Sequence, residues 1–350
     1  MASFDEEYVK KCLTATLPWE HSPNGVLRFE QEPREHDLHG DNTGWCVWEC
    51  SNVLLRAVSS SIGWQNILRA ASECTPTQAE RLAGIMKMQN NVTNSSSEEL
   101  AGEDRCSAAF PAWLRTASIC DFSAGVGLVG IALASAGCTA VTASDIACQL
   151  PLLRSNISAS IVSEDVAADC EPSVAEYWWG TPVTSLLPHS TSPAGAPAFD
   201  VVLASDILFI ALRDGVTGSL ASSLRSLAHT CGAVLMAWEE RLPDQEQEWL
   251  QALQDGHACR GANDPQGVDG TRGVPLQKVE GGGACTSSPP LEPVVVKEFT
   301  GDMVTLQQAE AIDGVQGSLE DGTLVGDLFW EPPPIRMVLI LPAPPPETHP

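Results

Sequence analysis

The stretch ASICDFSAGVGLVGIALASAGCTAVTASD, residues 117–145, decides the fold. ASICDF reads as a strand, and a turn bearing Gly125 and Gly127 follows. LVGIALASAG reads as a helix stopped by Gly137, and TAVTAS as a second strand. Such a β-turn-α-β unit of about thirty residues is the building block of a parallel sheet. A turn between a strand and a helix lets backbone approach a ligand closely where glycine leaves out the Cβ. The second strand ends in Asp145, 24 residues after Asp121. An acid there is placed to accept hydrogen bonds from both hydroxyls of a ribose, or to cap the next helix.

Outward from this unit the α/β rhythm continues. Ser173–Trp179, Phe199–Ser205 and Cys231–Trp238 are short apolar strand candidates. Helical stretches are expected at Leu150–Ser160, Asp214–Ala228 and Asp244–Leu253. Upstream, apolar residues at helical spacing predict a helix beginning near Trp48, and Val26–Phe29 is a short strand. Two segments break the rhythm and read as surface insertions: a polar stretch near residues 85–105, and the Gly- and Pro-rich residues 255–293. The last strands are Val294–Phe299 and Arg336–Leu341. The expected organisation is a polar extension over residues 1–42 and one domain over 43–341. A Pro-rich tail over 342–350 follows.

The composition excludes several classes of function. Against 45 Asp and Glu stand 19 Lys and Arg, a net charge of −26, and the five lysines are scattered. A surface that tracks nucleic-acid phosphates needs clustered cations, so a basic protein or a small molecule is the better partner. With 43 % hydrophobic residues the chain has ample material for a core. No apolar run approaches the ~20 residues of a membrane span, and the amino terminus has neither an apolar h-region nor Arg-rich amphipathy. A soluble, monomeric, cytoplasmic protein is expected, with the nucleus as the second choice. The twelve cysteines form no CxxC pair, and His36 and His39 find no third ligand, so no metal site is expected. The chain has no GxSxG elbow and no GxxxxGK loop.

The glycines alone fit a dinucleotide site, since Gly125, Gly127 and Gly130 match GxGxxG. Read from Asp121, however, the segment is acid-x-Ser-x-Gly-x-Gly, which resembles motif I of the seven-strand S-adenosylmethionine-dependent methyltransferases. The closest likeness within them is to the protein-lysine methyltransferase-like group. Further blocks follow in the order of that family: Thr43-Gly44-Trp45-Cys-Val-Trp48, Gln149-Leu-Pro-Leu-Leu-Arg154-Ser-Asn156 and Tyr177-Trp-Trp179-Gly180. Phe199-Asp-Val-Val-Leu-Ala-Ser-Asp206-Ile-Leu-Phe209 and, more weakly, Trp238-Glu239-Glu240-Arg241 complete the set.

The resemblance implies a Rossmann-like, seven-stranded, mostly parallel twisted sheet with helices on both faces, and S-adenosyl-L-methionine as cofactor. It implies that Trp48 lies over the methionine end. Asp121 and the turn of Ser123, Ala124, Gly125 and Gly127 would cradle the amino-acid portion. Asp145 would hold the ribose, Trp179 would flank the adenine, and Ser205 would line the same pocket. Asp206 and Phe209 would serve the acceptor, with Asp206 orienting an amine; its other reading is a helix cap. Ser123 and Phe209 stand where the family usually has glycine and tyrosine. The implied activity is N-methylation of protein lysines, with a lysine-rich protein as partner. Methylation of a small amine, or an interaction protein that keeps the fold without catalysis, are the alternatives.

Overall fold

The structure is a computed structural model describing residues 14–32, 44–74, 79–80, 82–84, 86, 110–186, 198–256, 294–298 and 334–343. The implied sheet is present. A hairpin of β1 (Thr14–Pro18) and β2 (Val26–Glu30) precedes helices α1 (Glu49–Ser59) and α2 (Ser61–Cys74). Then come β3 (Ser118–Phe122), α3 (Leu128–Ser135), β4 (Ala140–Asp145), α4 (Leu150–Val162) and β5 (Ser173–Glu176). The second half runs β6 (Val201–Ser205), α5 (Leu208–Asp214), α6 (Thr217–Thr230), β7 (Ala233–Glu239) and α7 (Pro243–Asp255). Strands β8 (Val294–Glu298) and β9 (Ile335–Pro342) close the order.

Among the described residues the large sheet has seven strands in the order β5-β4-β3-β6-β7-β9-β8. Strands β5 to β7 pair in parallel, while β9 runs antiparallel to both β7 and β8. The chain winds outward from β3 to β5, then returns to lay β6 on the other side of β3. The carboxyl ends of β3 and β6 therefore flank the switch point, where open α/β sheets bind ligands. Phe122 pairs with Ala204 across this boundary, so Ser123 and Ser205 are the next residues out on adjacent strands.

Side-chain alternation builds a core on each face. Along β6, Val201 and Leu203 join the cluster that holds Leu54, Trp64, Ile131 and Leu153 from the α1–α4 side. Val202 and Ala204 join the opposite cluster with Leu224, Leu227, Trp238 and Trp249. Helix α3 is buried from Leu128 to Ala134, which accounts for its nearly uniform apolar sequence.

The structure departs from the sequence expectations in three places. Strand β1 was not expected. The stretch after Trp48 is two helices, because Ser60 takes an extended conformation (φ −114°, ψ 144°) between them. A short α5 follows β6 where no helix was expected. Thr43, the histidines at 36 and 39, and nearly all of both insertions lie outside the described residues.

Candidate active site

The turn between β3 and α3 is built by three residues at positive φ: Ser123 (62°), Gly125 (56°) and Gly127 (90°). Gly127 N–H donates to the Ala124 carbonyl at 2.8 Å, and Ala124 N–H to the Ser144 carbonyl of β4 at 2.9 Å. Space as well as φ favours glycine at two of these positions. A Cβ on Gly125 would lie 3.1 Å from the Gly44 carbonyl, and one on Gly127 would lie 2.6 Å from Leu153 Cδ1. The segment leading to Trp48 thus lies directly against the turn.

Two carboxylates brace it. Asp121, 2 % exposed, accepts from Gly130 N–H at 2.8 Å and ties β3 to the first turn of α3. Asp145 accepts from Gly125 N–H and Ile146 N–H, both at 2.7 Å. It does not cap α4, whose N-cap is Gln149. Burial pushes Asp121 up to about 7, offset in part by the Gly130 bond and reinforced by the charge of Asp145. Burial likewise raises Asp145 to about 6 against the pull of its two backbone donors.

Ser123 holds the third positive φ with a side chain. A left-handed conformation costs a non-glycine residue roughly 1–2 kcal/mol. Its hydroxyl recovers a comparable amount by accepting the Trp179 indole N–H at 3.0 Å, a bond worth about 1 kcal/mol. That bond fixes the half-buried Trp179 ring beside the turn. Asn156, fully buried on α4, donates to the carbonyls of Val126 and Glu30 and accepts from Glu30 N–H at 2.7 Å, pinning the hairpin to the turn. The sequence block containing Asn156 carried the signal but not this role.

On the other side of the switch point a second group forms around Arg241. Asp206 follows β6 at φ 53°, a conformation that aspartate tolerates better than most residues, and it does not cap α5, whose N-cap is Ile207. Both its oxygens are taken by the Arg241 fork, at 2.9 and 3.0 Å. Oδ1 also accepts from Glu239 N–H at 3.4 Å and from the Cys50 thiol at 3.6 Å. Arg241 additionally donates to Glu239, and its guanidinium stands 5.3 Å from the Trp48 ring centroid and 5.0 Å from that of Phe209. Burial works to lower the Arg241 pKa, but the Asp206 bonds and the charges of Asp206 and Glu239 raise it overall. Beside this group Ser205 Oγ meets Ser51 Oγ of α1 at 2.7 Å. The structure therefore gathers Ser123, Ala124, Gly125, Gly127, Asp145 and Trp179 with Asp121 beneath them. It gathers Trp48, Asp206 and Phe209 around Arg241, with Ser205 adjacent. Arg241, Cys50 and Ser51 were not expected at the site, though Arg241 closes the last sequence block.

These residues suit S-adenosyl-L-methionine. The turn offers backbone free of Cβ atoms at Gly125 and Gly127, and Asp145 keeps further lone pairs for hydroxyl donors. Two buried carboxylates beside it favour a ligand that carries positive charge. A pH dependence follows. In the folded protein Asp121 and Asp145 bind protons at pH values where the unfolded chain, near 3.8, has released them. Stability of the free protein therefore falls as pH rises from about 4 to about 7, by up to ~1.4 kcal/mol per unit for each group. A cationic cofactor whose hydroxyls donate to Asp145 selects the ionised forms, so its affinity runs the other way. Kd at pH 5 should exceed that at pH 7.5 by at least about tenfold, measured by calorimetry at both values. A flat profile would refute this assignment.

Residues 86–256 match the protein family described as lysine methyltransferase. No curated protein matches the chain. Among solved structures, TrmN from Thermus thermophilus is similar at 20 % identity over 35 % of this chain and 33 % of its own, with a TM-score of 0.26. An S-adenosylmethionine-dependent methyltransferase from Neisseria gonorrhoeae is similar at 18 % identity over 35 % of this chain and 53 % of its own, with a TM-score of 0.28. Magnesium protoporphyrin IX methyltransferase from Synechocystis PCC 6803, solved with bound S-adenosylhomocysteine, is similar at 15 % identity, over 59 % of this chain and 81 % of its own, with a TM-score of 0.27. The chain spans only a third to about half of the first two structures, and likenesses with such TM-scores carry no weight here. Residues 86–256, just under half of the chain, are thus similar to the lysine methyltransferase family, and the seven-strand sheet with its glycine turn has the fold of the S-adenosyl-L-methionine-dependent methyltransferases.

Proposed function

We propose that the chain methylates the amine of lysine side chains in a protein. The observation that carries this reading is the surroundings of Arg241: two aromatic faces and two carboxylates close on a long cationic side chain at the carboxyl end of β6 and β7. A lysine meets the same chemistry there, through cation–π attraction to Trp48 and Phe209 and hydrogen bonding to Asp206. A neutral small acceptor gains far less from such walls.

S-adenosyl-L-methionine, when bound, supplies a methyl group activated on a sulfonium. The acceptor binds as an ammonium and loses one proton to water before attack; the neutral nitrogen then forms the N–C bond while the C–S bond breaks toward sulfur, which leaves a methylated ammonium. The protein's contribution is positioning, which is worth more in such a displacement than acid–base strength. Asp145 would hold the ribose, Trp179 the adenine, and the turn the amino-acid end. Asp206 would steady the amine and the positive charge it acquires. The net charge of −26 draws basic partner proteins toward the surface.

Incubation with extract from cells lacking this protein, using methyl-labelled cofactor, tests the reading. Acid hydrolysis of the labelled protein fraction should release N-methyl-lysine. Label confined to low-molecular-weight amines would replace the protein acceptor with a small one. No label, despite bound cofactor, would leave a fold without catalysis.

A further inference from the structure

We propose that Arg241 is a displaceable occupant of the acceptor site, holding in the resting protein the place that a substrate's cationic side chain takes. The inference rests on the lysine methyltransferase reading and adds to it a residue that sets acceptor affinity. Three observations carry it.

First, every contact of the guanidinium at this site is one that an alkylammonium can make: two ring faces, Asp206 and Glu239. Second, the loop carrying Arg241 is anchored without the guanidinium. The carboxylate of Glu246, buried in α7, accepts the backbone N–H groups of both Arg241 and Leu242 at 2.9 Å, and the Trp238 indole at 2.7 Å. The side chain can therefore leave Asp206 while its backbone stays in place. Third, the same fold shows what a structural arginine looks like. Arg225 on α6 is 3 % exposed and donates to the carbonyls of Ala252 and Leu253 in the last turn of α7, an arrangement no ligand could replace. The Arg241 side chain is 19 % exposed and spans from the end of β7 to the end of β6, beside the switch point.

With Asp206 only 4 % exposed, the carboxylate cannot be left alone, because a buried unpaired charge is strongly disfavoured. Something cationic must be there in the resting protein and as the acceptor binds. Exchange of one cation for another conserves the charge balance, so acceptor entry and Arg241 departure are one event, and an acceptor unable to replace the guanidinium stays out.

The experiment uses the full-length protein with n-butylamine as the acceptor probe. Arg241→Ala, and Arg241→Met as a second variant retaining the apolar stem, should raise kcat/KM for methylation of n-butylamine by at least about tenfold, chiefly through a lower KM. Guanidinium ion should inhibit the variants competitively, while Arg241→Lys should stay near wild type. In wild-type protein without cofactor, saturating n-butylamine should move the Arg241 Nε–H resonance to that of a solvent-exposed arginine. An unchanged or higher KM in variants that still bind cofactor would overturn the proposal, as would an unmoved resonance. The resonance decides the matter even if the variants do not fold. Failure of the wild-type protein to bind S-adenosylmethionine would instead refute the methyltransferase reading, a separate outcome.

Discussion

Asp206→Ala is expected to destabilise the protein by about 3 kcal/mol and to abolish methyl transfer. The loss comes from the guanidinium left behind. Arg241 is mostly enclosed by Trp48 and Phe209, and removing its bidentate partner leaves a charge with Glu239 alone. Breaking such a buried pair costs ~3–5 kcal/mol, and the surviving Glu239 contact places this case at the lower end. Alanine at φ 53° adds to the penalty, whereas asparagine tolerates that conformation. Asp206→Asn should therefore cost less while still losing activity, since it cannot balance a cation. Urea unfolding measures the difference. In a cycle with Arg241→Ala the double variant should be more stable than the sum of the singles predicts, by at least about 1 kcal/mol. Additive effects would mean that the pair is not formed in solution.

The second large effect concerns the cofactor. Asp145→Ala should weaken S-adenosylmethionine binding by about 100-fold or more, while Asp206→Asn leaves it nearly unchanged. Two backbone donors, Gly125 N–H and Ile146 N–H, lose a charged acceptor worth ~1.5–3 kcal/mol each. A ribose held by Asp145, as proposed, would lose its partner at the same time. Because Gly125 belongs to the turn, the substitution damages both the acid and the cradle. Retention of labelled cofactor on ultrafiltration would show the change directly, and wild-type retention by the alanine variant would remove Asp145 from the site.

Much of this was legible in residues 117–145, because each signal there is local. Alternating apolar residues give β3 and β4, and the glycines mark backbone that passes close to Gly44 and Leu153. What escaped the sequence depends on tertiary pairing. Strand β1 is five residues ending in proline, and it depends on pairing with β2 and on burying Ala15 and Leu17 in the core. Helix α5, seven residues long, opens with a five-residue apolar run shortly after a buried strand, where period alone does not separate the two. The contact of Arg241 with Asp206 spans 35 positions and exists because β7 lies beside β6. Ser123 illustrates a different limit. The sequence shows a serine where glycine is usual, and only the placement of Trp179, 56 positions away, reveals what holds it at φ 62°.

The central claim is that the Ser123–Gly127 turn and Asp145 form a working S-adenosylmethionine site. Titration calorimetry of the full-length protein at pH 7.5 with S-adenosylmethionine and S-adenosylhomocysteine tests it most directly. Binding of both in the micromolar range, about −8 kcal/mol, is the predicted result. No heat with either ligand, confirmed by absence of retained labelled cofactor, would contradict it.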